Sequence, residues 1–332
     1  AEVVYGLTDV HEPGDGRGSV PDVTVVIPTY GRDRVLVETL ERVLALDPRA
    51  SEVLVVDQTP AHDGDSEARL REMDASGAIR WLRLDRPSIP GAMNVGLVEA
   101  RTPVVLFLDD DVVPDGGLVG AHAAAMTDPD VWAVTGQVLQ PEESPEAVTF
   151  AGATEGLRAY LDFPFHSTVP APVGNVMAGN LSVRRDRILG LGGFDESFRG
   201  AAYRFETELA RRIRGAGGEI VFRPEASLRH LRVERGGTRS LGSHLTSPSP
   251  LHGVGDYYYA LRCGRGLDRL AYILRRPFRE VATRFHLLRP WWIPVKLAGE
   301  LRALAMALRL AGRPPALLRG EPAGSAATAG GG

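Results

Sequence analysis

The first two hundred residues alternate short apolar runs with amphipathic stretches. Residues 23–27, 53–56 and 104–108 are apolar, rich in β-branched side chains and bounded by turn residues, the pattern of strands covered on both faces in a parallel sheet. Residues 79–84 alternate as a further strand. Leu36, Leu40, Val43 and Leu44 recur at helical spacing over 34–46 before Pro48, and helices are also expected over about 66–74 and 91–100. Strand and helix in strict alternation predict an α/β fold with a mostly parallel sheet and right-handed crossovers.

Beyond this region the pattern continues less regularly. Residues 131–136 read as a strand, 141–173 as loop and short elements, 179–184 as ordered chain again, 192–196 as a turn, 203–216 as a helix ended by Gly217-Gly218, and 219–222 as a strand. Ser, Gly and Pro past Leu241 mark a boundary, followed by helices over about 256–275, 277–288 and 294–310. The expected organisation is a flexible arm (1–22), two halves of one sheet domain (23–140 and 141–240), a helical extension (256–320) and a disordered tail (321–332).

The apolar run 104–108 leads directly into Asp109-Asp110-Asp111. Three like charges at a strand's carboxyl end repel unless something positive neutralises them, and that edge of an open α/β sheet is where ligands bind. Hard oxygen donors suit Mg²⁺ or Mn²⁺ shared with a phosphate group, and a solvated acidic turn is the bland alternative. Other strand tips carry Pro28-Thr29-Tyr30-Gly31-Arg32 and Asp57. The segment from Arg86 to Asn94 forms a turn feeding a helix start, where backbone amides can meet anions.

Composition narrows the picture. A single cysteine, Cys263, permits no internal disulfide, and Ala1 to Tyr5 lacks a signal peptide's basic start and apolar stretch, so a reducing cytoplasmic setting is expected. No uncharged apolar stretch is long enough for a transmembrane helix. The net charge of −4 hides an asymmetry: from Asp256 onward thirteen basic side chains face five acidic ones. With Trp291 and Trp292 and the stripe Leu297, Leu301, Leu304 and Leu308, the basic extension suits peripheral contact with the cytoplasmic face of an anionic membrane, or else packs on the sheet domain. No recognition motif accompanies the charge, so nucleic acid is not an expected partner.

Taken together, Val-Val-Ile-Pro-Thr-Tyr at 25–30, Val-Val-Asp at 55–57, Gly91 with Asn94 and Gly96, Leu-Asp-Asp-Asp at 108–111 and Gly-Gly-Phe-Asp-Glu at 192–196 occur in one order over residues 23–240. The set resembles the inverting family 2 glycosyltransferases of the A-type nucleotide-diphospho-sugar transferase fold, a Rossmann-like architecture. The resemblance implies a metal-dependent, non-processive transfer of one sugar from a nucleotide diphosphate sugar, UDP or dTDP by preference, to a hydroxyl of a glycan or lipid-linked acceptor. No Gln-any-any-Arg-Trp element, the mark of processive relatives, follows His230.

By that resemblance Pro28, Thr29, Tyr30, Arg32 and Asp57 hold the donor nucleotide with Arg86 and Asn94. Asp109 approaches the ribose, Asp111 the metal, and Asp110 assists. Asp109, Asp111 and His230 form the metal set, Arg235 and Arg239 clamp the diphosphate, and Asn180 and Asp195 shape the acceptor site. Glu206 takes the place of the catalytic base, while Phe205 stands where the family has an acidic neighbour. Glu206 and Glu208 also fit first-turn carboxylates favoured by the helix dipole. Two rival readings are a sugar-phosphate nucleotidyltransferase, which should carry a Gly-rich basic loop after the first strand, and a degenerate nucleotide-binding scaffold subunit.

Overall fold

The computed structural model describes residues 20–233 and 235–318. The expected arm, apart from its last residues, and the expected tail 321–332 lie outside the described residues. In chain order the elements are β1 (Val23–Thr29), α1 (Arg34–Leu44), β2 (Glu52–Asp57), α2 (Gly64–Ala75), β3 (Arg80–Arg83), α3 (Ile89–Glu99), β4 (Val104–Leu108), β5 (Val112–Pro114), α4 (Leu118–Ala125), β6 (Val131–Leu139), β7 (Ala171–Pro172), β8 (Asn180–Arg184), α5 (Arg185–Gly190), α6 (Phe205–Gly215), β9 (Glu219–His230), α7 (Val254–Cys263), α8 (Gly266–Val281), α9 (Arg284–Leu288) and α10 (Ile293–Ala311). Local chemistry explains several starts. Asp63 accepts a hydrogen bond from the Ser66 amide at the head of α2, and Ser88 accepts one from Gly91 at the head of α3.

The sheet order is β3-β2-β1-β4-β8-β6-β9-β5, with β7 beside β9. β1 to β4 are mutually parallel, β8 runs against β4 and β6, and β6 is parallel to β9. Thus β1–β4, β6 and β9 run one way, and β5, β7 and β8 oppose them. The mixed sheet brings the carboxyl ends of β1, β2, β4, β6 and β9 to one edge.

Burial on both faces makes the apolar strand runs continuous. In β4, Val105 and Phe107 face a core shared with α3, α5, α6, α7 and α10, while Val104, Leu106 and Leu108 face α1, α2 and α4. Gly96 lets α3 approach β1 closely, because a β-carbon there would lie 2.3 Å from a Val26 methyl. Residues 141–173 hold little regular structure. They pack through Phe163, whose ring lies 5.0 Å from that of Phe222.

The C-terminal helices join this core through Tyr257, Tyr258, Tyr259, Ala303 and Ala307. Two expectations change here. The break falls at Gly264 rather than near 275, and Pro277 lies inside α8. Lys296 and Glu300 of the last helix are buried and ion-paired, whereas Leu297, Leu301 and Leu308 of the leucine stripe are exposed and Leu304 packs partly on the core.

Candidate active site

At the end of β4 the three aspartates take three different tasks. Asp110 is buried and accepts from the Thr29 hydroxyl at 2.7 Å and from Arg32 Nε at 3.1 Å. Burial pushes its carboxyl up to about 6 against the pull of Arg32 and Thr29. Asp111 is also buried and meets Arg32 Nη2 at 3.0 Å and His230 Nε2 at 3.1 Å. Burial alone would raise its carboxyl, but the His230 hydrogen bond and the charges of His230 and Arg32 hold it below the ordinary range. Asp109 keeps its carboxylate half exposed, 3.6 Å from His230. The positive charge beside the acid run is therefore that of Arg32, with the His230 ring within reach of Asp109 and Asp111.

His230 arrives through a strand that the sequence pattern did not reveal. β5 pairs antiparallel with the far end of β9, opposite Val112, so that His230 stands beside Asp111. One ligand atom from each of Asp109, Asp111 and His230 lies within 4.8 Å of the others. Two carboxylates and an imidazole, one carboxylate open to solvent, fit a single divalent cation of the Mg²⁺ or Mn²⁺ type with room for phosphate oxygens. Arg32 also donates to the carbonyls of Val233 and Arg235, and the Gly237 amide donates to the Tyr30 carbonyl, pinning the loop after β9 to the tip of β1.

Glu206 lies in the first turn of α6. Burial pushes its carboxyl up to about 7, its own amide and Arg204 pull it down, and the charge of Asp109 adds to the rise. The charge of Asp109 thus reaches Glu206. Ala202 and Arg204, which precede the helix, adopt φ of 51° and 74°, left-handed conformations that side chains rarely take. Arg204 is fixed by Asp256 of α7 at 3.0 Å. Glu208 is instead spent on Arg212 at 2.8 Å, so the first-turn structural reading belongs to Glu208. Phe205 is a core residue whose ring lies 5.7 Å from Phe194. That apolar environment explains why no acid stands there.

Several polar residues expected to touch ligand are committed to the fold. Asp57 is fully buried, with its oxygens taken by His62 at 2.7 Å, Trp81 Nε1 at 2.9 Å and the Thr59 amide at 2.8 Å. It shapes the 58–62 loop, and His62 bridges it to Asp33. Asn94 spends both amide protons on the Phe194 carbonyl and Glu196, locking α3 to the 192–196 turn. Asn180 donates to the Gln137 and Ala226 carbonyls where the β6–β9 register shifts, and its oxygen meets His122, which burial holds down at about 4 and hence neutral. Asp195 accepts from the Tyr258 hydroxyl and from the Ser197 and Ala316 amides. Asn94, Asn180 and Asp195 therefore hold the site's walls together from behind. Pro28 and Tyr30 are part-exposed at the β1 tip, Arg86 and Arg235 are exposed, and the side chain of Arg239 lies outside the described residues. His122 and Arg204 had no sequence signal, since each acquires its task from partners distant in the chain, and His62, five residues from Asp57, stands in a loop with no recognisable pattern.

A family model described as glycosyl transferase family 2 matches residues 24–206, more than half of the chain. The chain belongs to glycosyl transferase family 2. The chain is 36% identical over 99 residues to the succinoglycan biosynthesis protein ExoO of Rhizobium meliloti (strain 1021), a match covering 29% of this chain and 28% of that protein. Among solved structures it resembles GalNAc-T7 with UDP, GalNAc and Mn²⁺, with a TM-score of 0.54 and 16% identity over 73% of this chain and 51% of that one. It also resembles the mannosyltransferase PcManGT from Pyrobaculum calidifontis in complex with GDP-Man and Mn²⁺, with a TM-score of 0.51 and 20% identity over 91% and 82% of the two chains. These likenesses show the A-type glycosyltransferase fold that the mixed sheet describes.

Proposed function

We propose that this glycosyltransferase is a divalent-metal-dependent, inverting enzyme that transfers one sugar from a UDP or dTDP sugar to a hydroxyl of a glycan or lipid-linked acceptor. The observation that carries the reading is the cluster of Asp109, Asp111 and His230 at the end of β4, and Glu206, in the first turn of α6 and subject to the charge of Asp109, is the carboxylate assigned to the acceptor's proton. In this mechanism the Glu206 carboxylate takes the proton of the acceptor hydroxyl as its oxygen bonds to the anomeric carbon. The bond from that carbon to the diphosphate breaks on the opposite face, its electron pair leaves with the nucleotide, and configuration inverts. Asp109, Asp111 and His230 would hold Mg²⁺ or Mn²⁺, which offsets the charge growing on the departing oxygen. Thr29 and Arg32 fix Asp110 and the loop after β9, while Arg86, Arg235 and Arg239 are assigned to the donor's phosphates.

Mn²⁺ in both solved relatives supports the metal, and UDP in one of them supports the donor. The relative named for succinoglycan biosynthesis supports a glycan acceptor. The test is thermal unfolding with UDP, dTDP and GDP, each with and without Mn²⁺. A nucleotide at about 100 times its dissociation constant adds about 2.7 kcal/mol. One uridine or thymidine diphosphate should stabilise the protein only with Mn²⁺, and Asp111→Asn should abolish both that effect and sugar transfer. Failure of every nucleotide to stabilise, or transfer surviving in Asp111→Asn, would overturn the proposal.

A further inference from the structure

The C-terminal helices are inverted relative to ordinary surface helices. Helix α10 turns Lys296, Gly299, Glu300, Ala303 and Ala307 inward and leaves Leu297, Leu301 and Leu308 outside. Helix α8 buries Tyr272 and Arg276, while Leu267, Leu270, Leu274 and Phe278 are exposed, Leu267 at 83% and Phe278 at 74%. The polar inner sides are stable because they neutralise one another. Arg276 bonds Asp256 and Glu300, and Lys296 bonds Glu280 and Glu300, each at 3.2 Å. These ion pairs join α8 to α10 side by side. Leu287, Leu288 and Trp291, on the segment between the two helices, are exposed as well. A contiguous run of helices thus shows water an apolar surface that an ordinary soluble face lacks.

Charge is sorted in the same way. The acids Asp256, Glu280 and Glu300 are turned into the network, whereas Arg265, Arg275, Arg284, Arg289, Arg302 and Arg309 are exposed. On the flank of α8 a cleft of about 360 Å³ is lined by Arg158, Arg204, Arg275, Arg276 and Arg279 against only Asp162 and Asp268. No helix among the described residues is long and apolar enough to cross a membrane. We infer that this layer docks on an anionic lipid surface. The leucines, Phe278 and Trp291 enter the acyl boundary, and the arginines meet headgroup phosphates, some of them in the α8 cleft. Complementarity favours lipid over a second copy of the chain, since the same arginines on both sides of a self-interface would repel one another.

The test is sedimentation of the full chain with phosphatidylcholine vesicles, with and without phosphatidylglycerol, and as salt is raised. The wild type should partition onto the anionic vesicles and come off with salt. Leu274→Glu with Phe278→Glu should lower partitioning by about tenfold or more, as should Arg275→Glu with Arg309→Glu. All four positions are exposed and form no ion pair among the described residues, so thermal unfolding of the variants should match the wild type. Absence of binding, or binding unchanged in the variants, overturns the inference. A wild-type dimer dissociated by Leu274→Glu with Phe278→Glu also overturns it, because the face would then be a self-interface. Vesicle binding requires no turnover, so its result stands apart from that of the transfer assay.

Discussion

At the scale of single residues the site depends on which carboxylates remain unspent. Glu208, only two residues from Glu206, is closed off by Arg212, whereas Glu206 makes no ion pair among the described residues and sits where burial disfavours its charge. A base must be ionised to accept the acceptor's proton. The rate of transfer should therefore rise with pH through an acid limb whose apparent pKa lies at or below about 7, since a bound cation beside Asp109 favours the carboxylate. Glu206→Gln should lower kcat by about a hundredfold to ten-thousandfold and remove that limb from the residual rate, while Mn²⁺-dependent nucleotide binding persists. A pH–rate series on both proteins checks this, and an unchanged limb in the variant would assign it to another group. The sequence made the aspartate run readable because it ends an apolar strand, and Glu206 because it opens a periodic helix, whereas His230 was reached through the family resemblance, since its strand reads as ending at Phe222. It could not separate these from Asn94, Asn180 and Asp195, because their partners lie a hundred, forty-odd and sixty-odd residues away.

At the scale of elements, the long apolar strands and the periodic helices were legible, and the short or mixed ones were not. β5 has three residues and exists only by pairing with β9, and β9 passes through the polar segment Arg223-Pro224-Glu225 that reads as its end. Helix α10 displayed its stripe in sequence, but periodicity cannot say which side faces the protein when the polar side is satisfied by partners on α8. The approach of the chain before β8 to β4 gives a further prediction. A β-carbon at Gly179 would lie 2.2 Å from the Asp109 carboxylate, and Gly179 has no left-handed φ that would strain an alanine. The atom in the way is the free end of a side chain, so it moves at little cost to the fold. Gly179→Ala should raise the Mn²⁺ concentration for half-maximal transfer by about tenfold or more while leaving the thermal midpoint of the metal-free protein nearly unchanged. A metal titration unaffected by the substitution would remove Asp109 from the donor set.

At the scale of the whole molecule the C-terminal helices share one core with the sheet that carries the candidate site. The sequence boundary near Leu241 marks a change in composition, yet the core runs across it through Tyr257, Tyr258 and Tyr259. Asp256, fully buried on α7, is the junction: it accepts from Arg204 at 3.0 Å, from the Tyr272 hydroxyl at 2.7 Å, from Arg279 at 2.8 Å and from Arg276. Through Arg204 the same carboxylate steadies the left-handed turn that delivers Glu206. Asp256→Ala leaves the buried Arg276 with Glu280 and Glu300 and removes the acid that holds Arg204. Breaking a buried ion network of this kind costs about 3–5 kcal/mol, which urea unfolding would register. The variant should also lose kcat at temperatures where it remains folded, with metal-dependent nucleotide binding intact, since the proposed metal donors stand at the end of β4 and on β9 and the proposed base alone hangs from the α7 junction. Equal loss of nucleotide binding and turnover would instead mean that the helical layer supports the whole sheet edge without discriminating between its two sides.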